Sequence, residues 1–428
     1  MKILIAACAA AFVYGLTFQA WAQNDIPDKL LPVVTLEVAL ARALEAAPAI
    51  KARNEAMNAS AGALEQAGIR PTPSFSLEAE NFLGTGIFNG FNQTETTFSL
   101  DQKIERGGKR GARIGLAETE RHMRRLSAVI TRQNVIFEVR KAYIDAMTSA
   151  AVLKNARGRA ETTQKFIEVV KLRVRSARDS SAAGERLTAR IMAENADVAQ
   201  AEYALNNAKR RLSALWGDGS YDFTIDKKSF YDARYQARPA QLNHRVSAPE
   251  LRLAEAAEDN ASAALILEQA NSKLDPTVRL GLRQFQQSGD VAAVVSFSMP
   301  FSFSNSNRGN IARAAAERRR SMWLVRDAKM KFDRDYNSNL EILRAARAEI
   351  DAFRNGIIPQ AKSALDKTRI GYGRGAFIYL DVMEAQRTLQ EYMTRETLAL
   401  RRFHLAAAAL DRLSAAYEDP LSVEGNIQ

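Results

Sequence analysis

Leu64-Glu65-Gln66-Ala67, five residues, then Pro73: this stretch returns as Leu267-Glu268-Gln269-Ala270, five residues, then Pro276, at an offset of 203. Alanine and glutamate recur by chance in any helical chain, but prolines at matched distances do not. The match extends outward. Ala47-Pro48 answers Ala248-Pro249, and Arg110-Gly111 answers Arg308-Gly309, each of the latter ahead of a long segment rich in Ala and Arg. The chain therefore reads as two tandem copies of one plan, residues 35–217 and 248–417, joined by a linker over 218–247. Each copy is a helical hairpin with a pair of strands inserted near its start.

Proline placement sets the helix lengths. None occurs from 74 to 238 or from 301 to 358, so helices of unusual length are permitted. The intervening residues are strong helix formers. The pattern predicts helices over 113–177 and 310–371, with Pro359 bending the second without ending it. A helix of about 65 residues is roughly 100 Å long. Partner helices are expected over 185–215 and 377–417, and opening helices over 36–67 and 249–271. Heavy use of alanine suits helices tiled closely into a wall, and aromatic residues, 8% of the chain, are too few for a large globular core.

The inserted segments alternate with period two. Phe75, Leu77 and Ala79 interleave with Ser74, Ser76, Glu78 and Glu80, and Thr96, Phe98 and Leu100 interleave with Thr97, Ser99 and Asp101. The second copy repeats this with Val278, Leu280 and Leu282 against Arg279, Gly281 and Arg283, then Ala293, Val295, Phe297 and Met299 against Val294, Ser296 and Ser298. Strands are predicted at 73–82, 94–104, 277–286 and 291–303. One oily and one wet face is the pattern of a transmembrane β-barrel. Four strands cannot close a water-filled barrel. Either the sheet is soluble and packs on a helix, or several protomers pool their strands.

Composition and the amino terminus bound the function. Lys2, the apolar run from Ile3 to Leu16, and Ala20-Trp21-Ala22 before Gln23 read as a signal peptide, residues 1–22, cleaved between Ala22 and Gln23. The run is short of the roughly 20 residues a membrane helix needs. Cys8 lies too near the start for a lipoprotein signal. It is the only cysteine, so no internal disulfide forms, and His122, His244 and His404 are too scattered for a metal cage. The net charge of +11 arises from 60 Lys and Arg against 49 Asp and Glu, a mixed surface that gives no nucleic-acid signature. Gly107-Gly108-Lys109-Arg110 is not a phosphate loop, because position 103 is Lys and Arg follows Lys109. It reads as a strand-to-helix junction where basic residues can sit near lipid head groups. Gly371, Gly373 and Gly375 follow a helix, not a strand, which rules out a dinucleotide fingerprint. No catalytic cluster is found, and neither a cofactor nor a metal site is expected.

Several motifs, in order, carry a resemblance. They are Thr35-Leu36-Glu37-Val38-Ala39-Leu40; Gln66-Ala67-Gly68-Ile69-Arg70-Pro71-Thr72-Pro73; Gly107-Gly108-Lys109-Arg110; Lys209-Arg210-Arg211-Leu212-Ser213-Ala214-Leu215-Trp216-Gly217; and Gly371-Tyr372-Gly373-Arg374-Gly375 with Leu380 and Ala385-Gln386-Arg387. Together with the duplicated plan they make the chain resemble the TolC-like outer-membrane efflux family, and within it the outer-membrane components of cobalt-zinc-cadmium type cation exporters. The resemblance implies a mainly α fold with a small β part: long-helix hairpins forming a trimeric α-barrel, continued by a twelve-stranded transmembrane β-barrel with four strands per protomer. It implies a passive gated exit duct in the outer membrane of a Gram-negative bacterium, extending into the periplasm and touching outer-membrane lipid. Its partners would be a periplasmic adaptor protein and an inner-membrane pump of the resistance-nodulation-division class. The same duct for drugs or secreted proteins is the first alternative, and a soluble periplasmic coiled-coil or adaptor protein the alternative of another class.

In that topology the two inter-helix turns, residues 178–184 and 371–376, lie at the periplasmic tip. Arg175, Arg178, Asp179, Tyr372 and Arg374 would then close the aperture or receive the adaptor, with Gly184, Gly371 and Gly375 shaping the turns. The same residues have an ordinary reading, in which Gly184, Gly371, Gly373 and Gly375 end helices and the charges are solvated.

Overall fold

The structure, a computed structural model, describes residues 31–235, 248–301 and 307–415. The signal segment with Ala22 and Gln23, His244, and residues 236–247 of the linker lie outside the described residues.

In the first copy, β1 (Val33–Val34) leads to α1 (Leu36–Ala46) and α2 (Pro48–Gly68), then β2 (Ser74–Glu80), β3 (Glu95–Lys103), α3 (Lys109–Arg175) and α4 (Ser181–Ser213). The linker contributes β4 (Thr224–Ile225). The second copy follows with α5 (Pro249–Asn271), β5 (Thr277–Phe285), β6 (Val291–Ser298), α6 (Arg308–Ala352), a π-helical turn (Phe353–Ile357), α7 (Ile358–Arg374) and α8 (Tyr379–Leu413). Thr35 caps α1 through its side chain, which accepts from the Val38 N–H at 3.4 Å. Pro48 and Pro249 open α2 and α5, where a missing N–H costs nothing.

The long helices of the two copies are equal in length. α3 has 67 residues, and α6, the π turn and α7 together span 308–374, also 67 residues. At 1.5 Å per residue each is about 100 Å long. Pro359 does not end its helix. It lacks the N–H that would bond the carbonyl of Asn355, and the π turn immediately upstream widens the ladder there to accept the ring.

The two copies join in a central knot. Val34 and Ile225 pair in parallel across β1 and β4, packed over Tyr143 of α3 and Leu400 and Phe403 of α8. Ala39, Ala43, Ala146, Ala346, Ala399 and Ala406 are buried around them, small enough for the helix backbones to approach closely. The linker crosses this knot as a strap whose carbonyls are taken by side chains from the helices. Phe230 O accepts from His404 Nε2 at 2.8 Å, Tyr231 O from Arg354 Nη1 at 2.7 Å, and Ala233 O from Arg347.

The four larger strands form one antiparallel sheet in the order β2-β3-β5-β6, so the hairpins of the two copies meet along β3 and β5. The register aligns Phe75 with Leu100, Leu280 and Val295, and Leu77 with Phe98, Leu282 and Ala293. The first strand ends at Glu80 rather than 82, because Asn81 and Leu83 take left-handed backbone and start the loop. β6 ends at Ser298, and residues 302–303 of the expected fourth strand fall outside the described residues.

Strands become helices through tight elbows. Gly107 and Gly108 both have φ of 73°, and a Cβ on Gly107 would lie 2.5 Å from Lys273 Cγ. Lys109 Nζ reaches Asp275 Oδ2 at 2.6 Å, and the Arg106 N–H donates to Asp275 Oδ1 at 3.0 Å. The Gly107-Gly108-Lys109 motif thus ties the elbow of the first copy to the approach of β5 in the second.

Candidate functional site: the two-faced sheet and the helical tip

The sheet inverts the usual order of burial. Phe75, Leu77, Leu280 and Leu282 stand exposed, and Phe297 is 66% exposed, whereas Thr97 and Ser99 on the opposite face are 2% and 4% exposed. The polar face is laced across strands. Arg279 Nε meets Asp101 at 2.6 Å, Ser76 Oγ donates to Asp101 at 2.6 Å, and Arg283 binds Glu95 at 2.8 Å, Glu80 at 3.1 Å and Thr97 Oγ1 at 2.9 Å. Gly281 lets β5 lie this close to β3, since a Cβ there would sit 2.6 Å from Phe98 O and 2.8 Å from Ser99 Cβ. A sheet that shelters its charges and presents its phenylalanines is suited to lipid on one side and water on the other. Among the described residues no helix is long and apolar enough to cross a membrane, and no group of three or more His, Cys, Asp and Glu is placed to hold a metal.

At the far end of the long helices the two hairpin turns come together. Asp179 is held by Arg173, with Nε at 3.0 Å and Nη2 at 3.4 Å, and accepts a short hydrogen bond from the Tyr372 hydroxyl. Arg173 Nη1 also donates to the Tyr372 carbonyl at 2.7 Å, and its guanidinium lies 4.5 Å from the centre of the Tyr372 ring. Phe166, Val170, Leu187, Leu365 and Val382 bury this clasp. The hydrogen bond from Arg173 holds the Asp179 carboxyl below its ordinary range despite burial, and Tyr372 adds to the effect. Burial, then the bond to Asp179, pushes the Tyr372 hydroxyl up.

The turns differ from those the sequence suggests. They are residues 176–180 and 375–378, not 178–184 and 371–376. Both helices end in the same motif. Ala177 takes φ of 53°, with Arg178 N–H to Arg173 O at 2.9 Å and Ala177 N–H to Val174 O at 3.0 Å. Gly375 takes φ of 89°, with Ala376 N–H to Gly371 O at 2.8 Å and Gly375 N–H to Tyr372 O at 3.0 Å. The helix-ending glycine expected at 184 therefore sits inside the first turn of α4, its role taken by Ala177. Gly371 and Gly373 lie within α7, and of the four candidate glycines only Gly375 caps a helix. Gly371 serves packing: a Cβ there would meet the Phe377 ring at 2.3 Å. Because alanine is strained where glycine is not, Ala177→Gly is expected to stabilise the first turn by about 0.5–1 kcal/mol. Slower proteolytic cleavage at residues 176–180 would register the gain, and unchanged or faster cleavage would refute it.

Of the residues singled out by sequence, the structure brings together Asp179 and Tyr372. Arg175, Arg178 and Arg374 are exposed and form no ion pair among the described residues. Arg173 was not singled out, although a signal existed. It lies seven residues after Phe166 and three after Val170, on the same buried helix face, whereas Arg175 and Arg178 do not.

Residues 39–218 match the family model described as outer membrane efflux protein. Over that stretch the chain is similar to outer membrane efflux proteins. The chain is 26% identical over 406 residues to the cobalt-zinc-cadmium resistance protein CzcC of Cupriavidus metallidurans, covering 92% of its own length and 95% of that relative. The nickel-cobalt-cadmium resistance protein NccC of Alcaligenes xylosoxydans is 25% identical over 277 residues, 65% of this chain and 63% of that one. The fold matches the outer membrane protein VceC of Vibrio cholerae with a TM-score of 0.74 at 18% identity, over 89% of this chain and 96% of that one. It matches CusC with a TM-score of 0.75 at 14% identity, over 90% and 93%. The chain is thus mainly helical and shares the fold of these two structures.

Proposed function

We propose that this chain is one protomer of a homotrimeric, passive exit duct in the outer membrane, gated at its helical tip. Three four-stranded sheets would pair β2 of one protomer with β6 of the next, closing a twelve-stranded barrel and leaving no free edge. The helices of about 100 Å would continue it as a tube into the periplasm. The observation that carries the reading is the inverted sheet, with Leu280 and Leu282 exposed on one face and Arg279 and Arg283 paired with carboxylates on the other.

The cargo we propose is heavy-metal cations, delivered by a resistance-nodulation-division pump through a periplasmic adaptor that meets the tip near Arg175, Arg178 and Arg374. Support comes from the cobalt-zinc-cadmium and nickel-cobalt-cadmium resistance relatives. A duct needs no tight site for its cargo, since ions must leave as readily as they arrive.

One experiment tests both levels. The mature protein is extracted from separated membranes, its native mass measured, and a deletion strain scored for tolerance to cobalt, zinc and cadmium and to hydrophobic drugs. A trimer from the outer membrane and a severalfold loss of metal tolerance alone are expected. Lost drug tolerance instead would reassign the cargo, and a soluble periplasmic monomer would overturn the duct.

A further inference from the structure

We propose that the foot of the first hairpin binds the phosphodiester headgroup of an anionic phospholipid, in the leaflet nearest the helices. The inference rests on the reading of the sheet as barrel wall. A cleft of about 760 Å³ opens there, lined by Arg70, Pro71, Pro73, Gln102, Ile104 and Arg110 among others. Its apolar side keeps the phase of the exposed face, while Thr72, Lys103 and Glu105, of the other phase, line it as well. Pro71 and Pro73 precede Phe75 and Leu77 at steps of two, and Gln102 and Ile104 follow Phe98 and Leu100 in the same step. The Ile104 N–H donates to Pro276 O at 2.9 Å, so the ladder persists to that residue. The cleft therefore lies at the foot of the sheet with its Pro71, Pro73 and Ile104 side in line with the exposed apolar face, at the height where acyl chains give way to headgroups.

Its charges are set for an anion. Glu105 is held by Arg113, one branch at 3.0 Å, and Lys103 leans on Asp275 at 3.4 Å. Arg110 places Nε on Gly68 O at 2.6 Å, which fixes the guanidinium, and its terminal nitrogens have no partner among the described residues. Arg70 is exposed and has neither hydrogen bond nor ion pair among the described residues. Two planar guanidinium groups lining one cleft with Pro73 and Ile104 suit a phosphate that carries glycerol and acyl carbons. A free phosphate would use the arginines and leave Pro73 and Ile104 uncovered.

The test counts lipids retained by the detergent-extracted trimer in native mass spectrometry, with phosphatidylglycerol and phosphatidylcholine as probes. Wild type is expected to keep one phosphatidylglycerol per protomer with a preference of about tenfold. Arg70→Gln with Arg110→Gln should bring the preference near unity. Thr72→Glu, at an exposed residue that also lines the cleft, should do the same while removing no cation, which covers the case in which the double variant fails to fold. Arg318→Gln with Arg319→Gln, on the exposed face of α6, should leave it intact. Equal retention of both lipids by an intact wild-type trimer overturns the site alone. Displacement of phosphatidylglycerol by millimolar inorganic phosphate overturns it in favour of a free-anion site. A chain that never inserts sinks the barrel and the site together.

Discussion

Leu282→Arg is expected to abolish the trimer in membranes. Leu282 stands exposed at the middle of the apolar face, in register with Leu77, Phe98 and Ala293. A charged side chain at the midplane of a barrel's lipid face costs roughly 2–4 kcal/mol, and the penalty is incurred in each of three protomers. That total rivals the whole stability of an ordinary domain. Ser296→Arg supplies the control. It lies opposite Arg279 on the polar face, where a further arginine meets water and carboxylates. The fraction of chain recovered from the outer membrane as trimer should collapse for the first and hold for the second. Equal recovery of the two would mean that the apolar face does not touch lipid.

Asp179→Ala is expected to open the tip. The carboxylate accepts from both Arg173 and Tyr372, and both side chains of the ion pair are largely buried, at 11% and 17% exposure. Removing it strands a guanidinium and a hydroxyl, a loss of about 2–3 kcal/mol after allowance for partial solvent access. Since Arg173 and Asp179 belong to the first hairpin and Tyr372 to the second, the variant removes the side-chain hydrogen bond between them and leaves the bond from Arg173 to the Tyr372 carbonyl as the remaining polar tie of the clasp. Conductance in a planar bilayer should rise severalfold. Arg374→Glu, at an exposed residue, should change it far less. Unchanged conductance in Asp179→Ala would remove the clasp from the gate.

The titration of the same group fixes the pH behaviour. The Asp179 carboxyl is lowered in the folded state, so the clasp is fully present above the ordinary carboxylate range and weakens only as pH falls through the lowered value. Tyr372 is raised, so its contribution is full below the ordinary phenol range and is lost only in stronger alkali. Between about pH 5 and pH 9 the wild-type conductance should stay flat on account of these groups. Opening within that window would place the gate elsewhere.

A mainly helical chain with a small β part is legible from the run between Pro73 and Pro239, from the alanine content and from the period-two segments. These are patterns of composition and phase, which a single sequence carries openly. The turns are not legible to the residue. Left-handed backbone at Ala177 rather than at Gly184 depends on how Arg173 and Asp179 pack against the other hairpin, a contact 199 residues away in sequence at Tyr372. Glycine was a misleading marker for the same reason. At Gly371 the absent side chain makes room for Phe377, a tertiary need that imitates a helix stop. The π turn at 353–357 leaves no local signature beyond Pro359 itself.

That π turn makes the two copies unequal as mechanical parts. α3 is one unbroken rod from the sheet to the tip, with its hydrogen-bond ladder in register throughout. Its counterpart has the same length but contains a joint two-thirds of the way along, just where Arg347 and Arg354 fasten it to the strap. A rod transmits a push along its whole length, whereas a jointed lever with a fixed pivot can swing its free end while its root stays still. The same plan has thus yielded one unbroken rod and one rod with a joint, and the joint lies on the copy that carries Tyr372.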